Sequence, residues 1–257
     1  MRGFAAWMQP NDDALGPRRY THEAEQSLVL YDGVLLDRIG TWAAHDAAVL
    51  ARHWSELPDR LEGRFVVVRI GGAPDELELL NDPYRVHQTF VHHVGARFWI
   101  SNSARLLARL GGCCDIDMEG MAQNVGMYFA AGDRTLVEGI RAIPAAQHWT
   151  WSGEEMPRQT TYDDVSQWAT RGKRRFGPSA AERLARAMGA MLENLAASFG
   201  RLQCPITAGR DSRVLVGLMI AGDIPGDFFT RGDPASVDAR IAACVARRLA
   251  LPHRNLG

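Results

Sequence analysis

Lysine is almost absent from this 257-residue chain: of 29 basic residues, 28 are arginine, and Lys173 stands alone. Arginine solvates a surface as well as lysine does, so the bias reads as codon usage in a GC-rich genome. Its useful consequence is negative, since any chemistry needing an amine side chain must use Lys173 or do without. Surplus charge is missing too. The 29 basic residues face 30 acidic ones, for a net charge of −1 and a pI near 6.7. Nothing in that balance announces a nucleic-acid partner. No stretch approaches the ~18 consecutive apolar residues of a membrane span. The opening MRGFAAWMQPNDD holds no apolar run of signal-peptide length. Four cysteines in a chain this long make no disulfide framework. These absences predict a soluble, cytoplasmic protein without nucleic-acid or membrane partners, its thiols buried or idle in a reducing compartment.

What is present is ordinary globular composition, 46% hydrophobic and 23% charged, which excludes disorder and low-complexity architectures. The length suits one large domain or two modest ones. The first part reads as short strands with turn signals. Ser27 to Tyr31 is β-prone and runs into Asp32-Gly33, a hairpin dipeptide, before Val34-Leu35-Leu36 resumes. Asp46 opens a helical pattern through Trp54 and is a plausible cap, and Pro58 marks its end. Phe65 to Ile70, Leu77 to Leu80 and Phe98 to Ser101 suggest an antiparallel meander, and Met118 to Phe129 returns to helical spacing with Met121 and Val125 on one side. A layered α+β domain to about residue 165 is expected.

Residues 166–200 read as a linker and connecting helix. The run Arg171-Gly172-Lys173-Arg174-Arg175 lacks aromatic interleaving and suits a solvated linker. Ser179 with Glu182 has the form of a capping box. The stripe Leu184, Met188, Met191, Leu192, Leu195 and Phe199 predicts core packing. From 201 to 257 the character changes to strand, loop, helix, strand, helix: Cys204-Pro205-Ile206, a turn, Val214 to Ala221, Phe228-Phe229-Thr230, then about Ser236 to Ala250. That order opens a parallel, helix-covered sheet. Two strands and one crossover cannot bury both faces, so this domain is expected to be incomplete here.

The turn Thr207-Ala208-Gly209-Arg210-Asp211-Ser212 carries the chemistry. Small residues at 208 and 209 let a backbone pass close to a ligand. The turn leads into a helix whose free N–H groups favour phosphate or pyrophosphate. Thr207 and Ser212 add hydroxyls, and Asp211 makes sense if it holds a magnesium ion that the phosphates also bind. No Gly-Lys-Ser/Thr follows, so it is not a Walker loop. A plain turn with an Asp/Ser helix cap has the same residues, and the loop by itself leaves both readings open. Elsewhere, His87, His92 and His93 make a poor metal site, because neighbours on a strand point to opposite faces. Cys113-Cys114 after two glycines reads as buried thiols in a turn. The seven tryptophans are scattered singly, as core residues are.

The 207–212 turn resembles the Ser-Gly-Gly-x-Asp-Ser pyrophosphate loop of the asparagine synthetase family, which includes β-lactam synthetases and lasso-peptide cyclases. Phe229-Thr230 followed by Asp238, Ala242 and Leu251-Pro252-His253 is similar to the family's next strand and helix. Gly132 to Ile140 resembles its inter-domain signature, and Pro144 to His148 its Pro-Pro-Gly-His. Leu61-Glu62-Gly63-Arg64-Phe65 and Asn81-Asp82-Pro83 resemble its amidotransferase-type first domain. The resemblance spans nearly the whole chain. It implies an N-terminal-nucleophile αββα glutaminase-like domain at 1–165. It also implies a Rossmann-like ATP-pyrophosphatase domain that begins at 201 and adenylates a small-molecule or peptide carboxylate before an amine or ammonia attacks. ATP and Mg2+ would bind at Thr207, Ala208, Gly209, Arg210, Asp211 and Ser212, with the metal on Asp211 and Ile206 and Phe229 flanking the adenine. A homodimer is possible within the family.

Two departures qualify this. The family's nucleophilic cysteine is expected at position 2, where Arg2 stands, and the first cysteine is Cys113, so no N-terminal thiol forms and no catalytic residue is assigned. The Asn-Gly-Glu glutamine segment appears as Asp32-Gly33-Val34, leaving a degenerate pocket of Asp32, Gly33 and Asp46. Glutamine is therefore not expected to be hydrolysed, and nitrogen would come from a substrate amine or ammonia. The family's second magnesium-binding Asp and catalytic lysine have no counterparts here. The competing expectation is a non-catalytic scaffold or docking protein.

Overall fold

A computed structural model describes residues 22–24, 27–40, 42, 46–71, 76–95, 97–112, 115–152, 156–170 and 177–257. Arg2, Cys113, Cys114 and Lys173 lie outside the described residues. The chain divides into two compact units, Met1–Arg171 and Gly172–Gly257.

The first unit contains strands β1 (His22–Ala24), β2 (Ser27–Asp37), β3 (Leu61–Ile70), β4 (Glu76–Asn81), β5 (Phe90–Val94), β6 (Arg97–Ser101), β7 (Ile140–Ala142), β8 (Gln147–Ser152) and β9 (Arg158–Thr161). Its helices are α1 (Ala47–Arg52), α2 (Leu57–Arg60), α3 (Ala104–Gly111), α4 (Met118–Met127) and α5 (Val165–Thr170), with a 3-10 turn at Trp54–Glu56. Six strands form one sheet in the order β1-β2-β3-β4-β8-β9 and three form another in the order β6-β5-β7. Every pairing in both is antiparallel.

Alternation along β3 explains the layering, since successive side chains leave a strand on opposite faces. Phe65 and Val67 turn to a core shared with Leu50 of α1, Trp54 and Leu57. Val66 and Val68 turn to a second core, where Leu79, Trp149 and Trp151 of the large sheet meet Val91, Phe98 and Ile100 of the small one. The helix α3 covers the small sheet beyond, with Leu107 buried. The order is helix, sheet, sheet, helix. Buried polar groups pin the ends. Asn81 is wholly buried, donating to the Pro144 carbonyl (2.6 Å) and accepting from the Gln147 N–H (2.7 Å). Asp37, 3% exposed, takes both a fork of Arg60 (2.7 and 2.8 Å) and the Trp42 N–H (2.9 Å). Helix α4 forms over the stretch whose spacing is helical, but Val125 and the following Tyr128 are 72% and 93% exposed, and only Gly120 of the helix is buried.

The second unit holds α6 (Pro178–Phe199), β10 (Leu202–Pro205), α7 (Arg210–Ala221), β11 (Gly226–Arg231), α8 (Val237–Arg248) and β12 (His253–Leu256). The three strands are parallel, in the order β10-β11-β12. No hydrophobic pattern marks β12, a short and largely polar strand, so a second crossover exists where one was expected. Backbone pairing builds it: Phe228 N–H donates to the Pro252 carbonyl at 3.1 Å, and the parallel register continues to Leu256. Cys204, Ile206 and Phe228 pack against Val216 and Met219 of α7 and Ala242 and Ala246 of α8, so these helices cover one face of the sheet. Of the two described cysteines, Cys204 is buried and Cys244 is exposed.

Helix α6 also differs from its expected form. It starts at Pro178 with Gly177 as N-cap and no side-chain cap, so Ser179 lies inside the first turn and makes no capping box. No residue of α6 is fully buried. Leu192 and Ala196 pack on the second unit's core, whereas Leu184 and Met191 are 53% and 40% exposed.

Candidate functional site

The 207–212 turn sits where β10 ends and α7 begins, at the carboxyl end of a parallel strand, the edge where open α/β sheets place ligands. Its base is fixed from below. Ile206 is fully buried, its N–H donates to the Phe229 carbonyl (2.8 Å), and its own carbonyl accepts the Thr230 hydroxyl (2.8 Å). Because that hydroxyl proton is used on Ile206, the 2.9 Å contact between Thr230 Oγ1 and His253 Nε2 is donated by the imidazole. The three strands are thus tied together just beneath the turn.

The turn is held by its own side chains. Thr207 N–H donates to Ser212 Oγ (3.1 Å), Gly209 N–H donates to Thr207 Oγ1 (3.0 Å), and the two hydroxyls meet at 3.0 Å. Ala208 N–H donates to Asp238 Oδ1 at 2.9 Å, from the first turn of α8. The N–H groups of Ala208 and Gly209, in a turn expected to approach a ligand closely, are therefore committed within the protein. What stays open is the start of α7, which has Gly209 as N-cap with no side-chain cap and Asp211 in its first turn. The uncapped N–H groups of such a turn carry partial positive charge. Arg210 and Asp211 are exposed there, and Arg213 bends back to the Gly209 carbonyl (3.1 Å). A Cβ on Gly209 would lie 3.0 Å from Thr207 Oγ1, so the turn tolerates little bulk.

Ile206 and Phe229 meet through their backbones, but their side chains leave the sheet on opposite faces. Phe229 is in register with Pro205 on the face opposite the helices, while Ile206 belongs to the buried core. Among the described residues no group of three or more His, Cys, Asp or Glu could hold a metal ion. A magnesium ion at Asp211 would therefore need its remaining ligands from phosphate oxygens and water, which suits that ion's usual habit of one or two protein carboxylates.

The residues resembling a glutamine pocket are engaged otherwise. Asp46 is the N-cap of α1, accepting from Ala48 N–H at 2.8 Å. Gly33, at φ +117°, presses on β3 so closely that a Cβ would fall 2.1 Å from the Arg64 carbonyl oxygen. Asp32 Oδ2 accepts from Asn102 Nδ2 (2.9 Å) and faces His87 Nε2 at 3.1 Å. His87 and Asn102 went unnoticed as its partners, since 55 and 70 positions separate them from it in the sequence. The other histidines are structural: His92 is buried with Nδ1 on the Gly139 carbonyl (2.8 Å), and exposed His93 stacks on Phe98.

No protein-family model and no curated protein matches this chain. Among solved structures, it is similar to glutamine phosphoribosylpyrophosphate amidotransferase from B. subtilis complexed with ADP and GMP, at 10% identity and a TM-score of 0.37 over 82% of this chain and 48% of that one. It is also similar to a structure described as the allosteric regulatory enzyme of purine biosynthesis, at 9% identity and a TM-score of 0.37 over 82% of this chain and 46% of that one. The chain thus spans about half the length of either structure.

Proposed function

We propose that the second unit binds the phosphates of ATP at Thr207–Ser212 and that the protein belongs to an ATP-dependent, amide-forming ligase of the asparagine synthetase type. The observation that carries this reading is the turn itself: small residues at the carboxyl end of a parallel strand, followed by an uncapped twelve-residue helix with a carboxylate in its first turn. In the reaction so proposed, a carboxylate oxygen attacks the α-phosphorus of ATP and pyrophosphate departs. An amine then attacks the acyl carbon, and AMP leaves as the amide forms. The chain's own part is electrostatic. The first-turn N–H groups of α7 meet the departing pyrophosphate, and Asp211 supplies a carboxylate to the magnesium that travels with the nucleotide. Magnesium would neutralise phosphate charge. Thr207 and Ser212 keep the turn in shape through their mutual hydrogen bonds. The first unit is assigned no glutaminase step, because Asp32 and Asp46 are already engaged by Asn102, His87 and the Ala48 N–H.

Calorimetric titration of ATP, with and without magnesium, tests the reading. Asp211→Asn keeps a hydrogen-bonding oxygen but removes the charge, so it should weaken binding about tenfold with magnesium and little without it. Gly209→Val should abolish binding in both conditions, because a β-branched side chain crowds Thr207 and the approach to the backbone. If neither substitution changes the titration, the turn is a helix start with no ligand.

A further inference from the structure

The turn receives one hydrogen bond from far along the chain. Asp238 lies in the first turn of α8, thirty residues after Ala208, and its Oδ1 accepts the Ala208 N–H at 2.9 Å. A first-turn acid is often present only to satisfy its own helix. Here that duty is already met, since Ser236 caps α8 by accepting from Ala239 N–H (3.2 Å). The Asp238 carboxylate reaches instead to the small-residue stretch that every phosphate-binding reading of the turn depends on. Of the N–H groups at 207, 208 and 209, two are held by hydroxyls inside the turn, and Ala208 alone is held from another element.

We infer that Asp238 is a positioning residue for the phosphate turn: it latches Ala208 to α8 and leaves the N-terminal amides of α7 as the side on which an anion is received. This rests on the proposed function above for its ligand, but not for the latch. The chemistry follows from the geometry. A carboxylate on Ala208 N–H occupies that donor and sets a negative charge beside it, so the phosphates take their hydrogen bonds from the N–H groups of 210–212, with the small residues 208 and 209 leaving room beside them. The same bond holds Ala208 in place while its neighbours have no bulk with which to pack. Without it, the turn must be ordered when the ligand binds, and affinity falls accordingly.

The test uses the full chain with Asp238→Ala and Asp238→Asn, read by amide hydrogen exchange and by titration with magnesium-ATP and with inorganic pyrophosphate. Asp238→Ala should speed Ala208 exchange and weaken both ligands by about tenfold, with exchange in the rest of α7 and α8 unchanged. Asp238→Asn keeps an acceptor oxygen, so Ala208 should stay protected. With the charge gone, metal-free pyrophosphate should bind as tightly as to the unaltered chain or a few-fold tighter. If Asp238→Ala leaves Ala208 exchange unaltered, or Asp238→Asn fails as Ala does, the latch is wrong. If the unaltered chain binds neither ligand, the ATP reading falls, and the exchange data alone decide the latch.

Discussion

Two turns in this molecule use one device at opposite degrees of burial. In the first unit, Asp82 is fully buried and gathers the N–H groups of Tyr84 (3.0 Å), Val86 (2.9 Å) and His87 (2.8 Å) on its carboxylate. In the second, Thr207, Ser212 and Asp238 gather N–H groups of a turn that lies largely open to solvent. Side-chain oxygens accept backbone donors in both places, yet the consequences differ. The Asp82 turn is saturated and shut, so its carboxylate acts as a pin. The 207–212 turn leaves the start of α7 uncapped, and an uncapped helix start at a strand's carboxyl end can receive something else. A hydrogen-bonded turn becomes a candidate site only where its donors are not all used.

The largest effect that would break this comparison comes from Asp82. Asp82→Ala removes a fully buried carboxylate that accepts three N–H groups, each worth about 0.5–1.5 kcal/mol and more where water cannot replace it, so the first unit should lose about 3 kcal/mol in urea unfolding. Ser212→Ala removes an acceptor of the same kind where water can replace it, and should cost under about 1 kcal/mol. Equal costs would mean that burial is not what separates the turns.

The same contrast explains what the sequence made legible. Only a resemblance marked Asn81 and Asp82, although the donors of Asp82 lie two to five residues on, a local Asx-type spacing. Asn81 is equally buried, but its partners Pro144 and Gln147 are 63 and 66 positions away, so no local pattern points to it. Periodicity found β3 and β4 as antiparallel neighbours because β3 alternates between the two cores, but Phe98 to Ser101, expected in the same meander, belongs to the other sheet and pairs with β5. It missed β12, whose pairing is made by backbone groups that all sequences share. The Thr207–Ser212 turn was visible as a composition, while the commitment of its Ala208 donor to Asp238 was not. The stripe on α6 misled, because helical spacing shows that a face is apolar and not that anything covers it.

A medium effect concerns acid. Burial opposes ionisation of Glu78, but the hydrogen bond from His148 (2.7 Å) and the charge and hydrogen bond of Arg69 outweigh it and hold the carboxyl below its ordinary value. A carboxyl depressed on folding contributes stability that is complete above its unfolded pKa, about 4.3. That contribution is lost as pH falls through the folded value. Glu78→Gln should therefore cost about 1–2 kcal/mol at neutral pH and flatten the first unit's stability profile below about pH 5, measured by urea midpoints across pH. An unchanged acid slope would remove Glu78 from the group that makes this unit acid-sensitive.

The smallest effect lies within one helix and applies the comparison to packing. Leu192 and Leu184 stand two turns apart on α6, and sequence periodicity assigned both to a core. Leu192 is half-buried against Cys204, Val216 and their neighbours, whereas Leu184 is 53% exposed. Truncation to alanine removes the same atoms at either site, so any difference in cost measures what the helix packs against. Leu192→Ala should lower the second unit's stability by about 1–2 kcal/mol, below the range for a fully buried leucine because part of its surface is already wet. Leu184→Ala should change it by less than about 0.5 kcal/mol, since alanine suits a helix at least as well as leucine does. Denaturant midpoints read on the second unit would show the gap. If Leu184→Ala costs as much as Leu192→Ala, that exposed half of α6 is covered in solution, and the apolar stripe is an interface after all.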